Sequence, residues 1–82
     1  MSQTTTELKN EIQKSLELMR TLRDEVRVKL HLAGMDAKEE WRKLEPRLAE
    51  LERAATELTE ATKIAVNETV KRLDELRRSL GS

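Results

Sequence analysis

Leu32-Ala33-Gly34-Met35-Asp36-Ala37-Lys38-Glu39 is the stretch on which the fold turns. Gly34 has no Cβ to clash in the left-handed conformation that commonly ends a helix, so it is a natural C-terminal cap. Met35 can fold back on the preceding turn. Asp36 and Glu39 have the spacing of a capping box, in which each side chain satisfies a backbone N–H that a new helix leaves unpaired. A stop and a start therefore lie side by side, and short loops of this kind join antiparallel helices. The stretch predicts a helical hairpin, with a first helix over about residues 5–33 and a second over about 36–80. The competing reading is one long continuous coiled-coil helix, because a single interior Gly costs a helix only about 1 kcal/mol.

Outward from this stretch, one apolar register runs almost end to end. It reads Leu8, Ile12, Ser15, Met19, Leu22, Val26, Leu30, Ala33, then Ala37, Trp41, Leu44, Leu48, Leu51, Ala55, Leu58, Thr62, Val66, Thr69, Leu73, Leu76, Leu80. Steps of three and four residues keep these side chains on one side of a helix, as in a coiled-coil seam. Consecutive steps of four occur at Leu22-Val26-Leu30, Ala33-Ala37-Trp41 and Leu58-Thr62-Val66. Such stutters locally unwind a supercoil. Pro46 deletes a helical hydrogen bond and crowds the Arg42 carbonyl, so a kink or a break is expected there.

Thr4 with Glu7 fits a capping box that would start the first helix near Thr5, and Gly81 can cap the second. The alternating run Val26-Arg27-Val28-Lys29-Leu30-His31-Leu32 would be read as a strand in isolation, but it is flanked by helical pattern on both sides. Kept helical, it turns Val26 and Leu30 to one side and Val28, Leu32 and Met35 to another.

Composition agrees with a single helical domain over 1–82, with flexible ends at 1–4 and 81–82. Phe, Tyr and Cys are absent, Trp occurs once, and 39% of the 82 residues are charged. Without Cys there is neither a disulfide nor a thiolate metal site, and so short a chain buries little surface, which points to oligomerisation as the source of stability. Sixteen basic residues balance sixteen acidic ones. No long-range field favours nucleic acid, and no nucleic-acid partner is expected. No apolar run approaches a membrane span, and MSQTTTELKN has no signal-peptide character, so a cytoplasmic protein is expected.

In a hairpin turning at Gly34, the first helix reaches only to about residue 61 of the second. Residues 62–80 would then project by about 28 Å, exposing Val66, Val70, Leu73, Leu76 and Leu80. The simplest cover is the same segment of a second chain, giving a homodimer or four-helix bundle; another helical protein is the other possible partner. Arg20, Arg23, Arg27 and Lys29 would lie beside Glu39, Glu40, Glu45 and Glu50, biasing the pairing towards antiparallel. The interface expected is Val28, Leu32, Met35, Trp41, Val66, Val70, Leu73, Leu76 and Leu80. Trp41 reads as a core anchor beside the turn, and His31 as a solvent-edge residue. The small and hydroxylated segment Ala54 to Ala65 reads as a site of close helix approach, or alternatively as a polar groove.

The run VRVKLHLAGMDAKEEWRKLEPRL, residues 26–48, resembles segments of small, functionally uncharacterised bacterial coiled-coil and helical-hairpin proteins. The resemblance carries no activity with it. No zinc-binding helix motif, glycine-rich phosphate loop or His cluster is present, so catalysis, cofactor and metal are not expected. The function expected is a non-enzymatic coiled-coil oligomerisation or interaction module. The alternative is a peripheral, membrane-surface amphipathic protein, against which stand the scarcity of aromatics and a polar face of mixed sign.

Overall fold

The computed structural model describes residues 5–81. The Thr4 cap and the ends expected to be flexible at 1–4 and 82 lie outside them, while Gly81 is the last residue of a helix. The chain is all-α: α1 spans Thr5–Lys29, a single 3-10 turn follows at Leu30–Leu32, α2 spans Met35–Ala54 and α3 spans Glu60–Gly81. Three helices therefore replace the two expected. The hairpin at Gly34 forms, and the long second helix is divided again.

The first connection turns by a different device from the one the sequence suggests. Arg27 and Lys29 close α1 favourably against its C-terminal dipole. The backbone then tightens into the 3-10 turn, and the Ala33 N–H donates to the Leu30 carbonyl at 3.2 Å. Ala33 (φ −86°, ψ 156°) and Gly34 (φ −76°, ψ 176°) are both extended. Gly34 is thus the N-cap of α2 rather than a left-handed C-cap, and its carbonyl accepts from the Lys38 N–H at 3.3 Å. The Asp36–Glu39 capping box does not form, because α2 begins one residue before Asp36. Asp36 instead lies in the first turn, where a negative charge still suits the helix dipole.

Pro46 lies inside α2, and the helix continues through it to Ala54. Pro46 and Arg42 both sit on the exposed face, so the Arg42 carbonyl that loses its N–H partner can be hydrated. The real interruption comes at Ala55–Thr59. Here the Glu57 N–H donates to the Ala54 carbonyl at 2.8 Å and the Thr56 hydroxyl to the Arg53 carbonyl at 3.3 Å. Thr59 Oγ1 accepts from the Thr62 N–H at 3.1 Å, the N-cap contact that starts α3.

Helix directions follow from the cross-links. Lys63–Glu11, Ser15–Asn67 and Arg77–Glu25 share a separation of 52 residues, so α1 and α3 run parallel. Arg20 and Arg23 meet Glu52 while Arg27 meets Glu45, so α1 and α2 run antiparallel. The molecule is an up-down-up three-helix bundle of 45 × 21 × 17 Å in which α1 and α3 share the largest contact.

Its core is the seam read from the sequence: Leu8, Ile12, Met19, Leu22 and Val26 from α1, Trp41, Leu44, Leu48 and Leu51 from α2, and Val66, Leu73 and Leu76 with Thr62 and Thr69 from α3. Leu16 joins them although the seam passes through Ser15, because α1 faces two neighbours and buries a stripe wider than a two-position seam. Residues 62–80 do not project. They fold back as α3, and the surface expected to need a second chain is covered by α1 and α2 of the same chain.

Candidate functional site

At the α1–α2 corner three large apolar side chains are left in water: Val28 (71% exposed), Leu32 (97%) and Met35 (74%). The alternation that resembled a strand is the cause. At about 100° per residue, Val28 falls on the far side of α1 from Val26, and in the 3-10 turn, at about 120° per residue, Leu32 is carried off the face of Leu30. Val26 is fully buried and Leu30 packs against the core, so their alternates must face away from it. His31 lies exposed between Leu30 and Leu32. Close by in the sequence are two basic residues, Lys29 and Lys38, and two acidic ones, Asp36 and Glu39.

The remaining residues of the expected interface lie elsewhere. Trp41, Val66, Leu73 and Leu76 are buried in the chain's own core, and Val70 and Leu80 are half-buried against it. Trp41 is covered on one side by Arg27, whose guanidinium stands 5.8 Å from the ring centroid. A cation over an indole face is weakly attractive where water can reach it, so this pair closes the core just inside the corner. Two further exposed apolar residues, Leu18 (48%) and Ile64 (53%), sit off the seam. They are visible in the sequence only as hydrophobes out of register.

The polar surface is organised by cross-helix ion pairs. Lys63 reaches Glu11 at 3.0 Å and Glu60 at 3.6 Å, and its hydrogen bond to the Glu11 carboxylate holds the ammonium above its ordinary pKa. Arg77 donates to Asp74 at 2.6 Å and approaches Glu25 at 3.5 Å, while Arg78 meets the other Asp74 oxygen at 3.0 Å. The Arg77 hydrogen bond keeps the Asp74 carboxyl below the usual carboxylate range. Glu52, not the expected Glu50, is the α2 partner of Arg20 and Arg23. These solvent-accessible, partly buried pairs set helix register more than they add stability.

Among the described residues the buried polar side chains, Thr62 and Thr69, are hydrogen-bonded. Thr69 Oγ1 donates to the Ala65 carbonyl at 2.9 Å, and the Thr62 and Thr59 hydroxyls pair at 3.0 Å. The segment from Ala54 to Ala65 comprises the end of α2, the α2–α3 connection and the first turn of α3 with its cap, and Ala55 and Thr56 line a concavity with Gln13, Leu16, Glu17 and Arg20 of α1. Among the described residues no group of three His, Cys, Asp or Glu side chains could hold a metal ion, and no helix is long and apolar enough to cross a membrane. No protein-family model, curated protein or solved structure matches the chain.

Proposed function

We propose that the chain is a non-enzymatic helical interaction module whose docking surface is the α1–α2 corner and whose partner is a second copy of itself. The observation that carries this reading is Leu32, which lies off the seam and is 97% exposed, with Val28 and Met35 also exposed beside it in the sequence. Scattered exposed hydrophobes are ordinary, but three in succession at one end of a bundle form the kind of patch that marks an interaction site. The neighbouring charges support a self-complementary contact. Lys29, Asp36, Lys38 and Glu39 place both signs within a few residues of the apolar three, so a twofold axis can bring each sign opposite the other.

The membrane-surface alternative loses its motive, because the amphipathic faces that suggested it are turned inward on one another in the bundle. Sedimentation equilibrium from micromolar to several hundred micromolar tests the proposal. The expected result is a concentration-dependent dimer that Leu32→Glu returns to monomer with helicity unchanged. A monomer throughout the range overturns it.

A further inference from the structure

The α2–α3 connection carries a second mode of self-association, distinct from docking at the corner. We infer that Ala55–Thr59 is a hinge through which two copies of the chain exchange α3, each receiving the other's α3 against its own α1 and α2.

Three observations converge on the hinge. First, the apolar register crosses it without losing phase. Leu51, Ala55, Leu58, Thr62 and Val66 follow one another at helical steps on both sides of the break. If residues 55–59 became helical, α2 and α3 would form one helix whose core residues, from Trp41 to Leu76, still lay on a single face. Second, nothing in the hinge enforces a turn. It contains neither Gly nor Pro, Ala55 already has helical dihedrals (φ −64°, ψ −15°), and no described residue has positive φ. The bend is held by the Thr59 cap on the Thr62 N–H, by the Thr59 N–H donating to the Glu57 carbonyl at 3.0 Å, and by the two contacts to the Arg53 and Ala54 carbonyls. A continuous helix would replace these with its own backbone bonds.

Third, the contacts that seat α3 survive the exchange. Lys63–Glu11, Asn67–Ser15 and Arg77–Glu25 join α3 to α1, and so does the largest packed surface. All of these form equally well when α3 arrives from a second chain. The closed and exchanged forms then differ chiefly in the hinge and in the entropy of association, and this near-equality makes exchange of an identical element a low-cost route to a dimer. The straightened α2–α3 helix would run about 70 Å, well beyond the 45 Å length of the closed bundle.

The Ser15–Asn67 contact, 2.7 Å between side chains, supplies the test in a chain without native cysteine. Ser15→Cys and Asn67→Cys chains are unfolded together, refolded as an equimolar mixture at near-millimolar and at low micromolar concentration, and treated with a short bis-maleimide. Exchange predicts a covalent dimer whose linked peptides, by mass spectrometry, contain residues 15 and 67 from different chains, with at least tenfold more at the higher concentration. Glu60→Pro is the locking control. Pro is favoured at the first position of a helix and is incompatible with the interior of a continuous one, so it should keep the closed monomer and abolish the link. Absence of the 15–67 link at both concentrations overturns the inference, and so does a yield unaffected by Glu60→Pro. Leu32→Glu should leave the link intact, so loss of corner docking and loss of exchange are read separately.

Discussion

The same substitution, leucine to alanine, should be costly at one end of the apolar inventory and nearly neutral at the other. Leu73 is fully buried in α3, while Leu32 is 97% exposed at the α1–α2 corner. Truncating Leu73 removes the transfer free energy of its buried methyl groups and leaves a cavity between α3 and its neighbours, a loss of about 2–5 kcal/mol. A chain of this size has about 4–12 kcal/mol of stability in all, so Leu73→Ala should consume a large share of it. At roughly 4–8 °C per kcal/mol for a domain of this length, a mid-range loss of about 3 kcal/mol lowers the melting temperature by about 12–24 °C. Leu32→Ala removes surface that folding never took from water and should change stability by less than about 0.5 kcal/mol. Circular dichroism melts at 222 nm distinguish the two, run at low protein concentration so that the monomer is the species melted. Because α3 is covered within the chain, the Leu73→Ala deficit should persist unchanged at tenfold dilution. Equal costs for the two substitutions would contradict the burial difference, and a Leu73→Ala deficit that vanishes on dilution would mean that a second chain covers residues 62–80.

Other predictions concern the connections and the surface charge. Gly34→Ser should stabilise the protein by about 0.5–1.5 kcal/mol in urea unfolding, because extended dihedrals suit any residue, a Cβ there meets nothing within 4 Å, and serine adds a cap while reducing unfolded-state entropy. A left-handed Gly34 would give a loss instead. Pro46→Ala should raise stability by about 1–3 kcal/mol on the same assay, since it restores an N–H to an interior turn of α2 at an exposed site. The Asp74 carboxyl is held below its ordinary 3.8 by the Arg77 hydrogen bond. A depressed folded-state value adds stability above the unfolded value and loses it as pH falls through the folded one. Asp74→Asn should therefore melt below wild type at pH 7, with the gap closing as the pH is taken below 3.8. A gap that does not change over that range would show that the pair contributes by packing alone.

Most of the core was legible in the sequence because a helix turns by a fixed angle per residue. The buried residues of α2 and α3 are the seam members from Trp41 to Leu76, and the first turn was placed correctly at Gly34. Periodicity alone could decide these positions. The exposed corner was also foreshadowed, since Val28 and Leu32 cannot share a face with Val26 and Leu30.

What periodicity could not reveal was where the second helix ended. The four-residue steps at Ala33-Ala37-Trp41 and Leu58-Thr62-Val66 straddle the two connections, so the register passed through both chain breaks as smoothly as through a helix. Gly34 announced the first. The second is held by a threonine cap and a few local hydrogen bonds, in a segment with no Gly or Pro to mark it, while Pro46, the conspicuous breaker, was accommodated on a solvated face. A local pattern records which residues seek cover and is silent on what covers them. Val66, Leu73 and Leu76 bore the same apolar signature whether a second chain or α1 lay opposite. Only the tertiary structure, by folding α3 back parallel to α1, decided that they belong to this chain's own core while Val28, Leu32 and Met35 stay exposed at the corner.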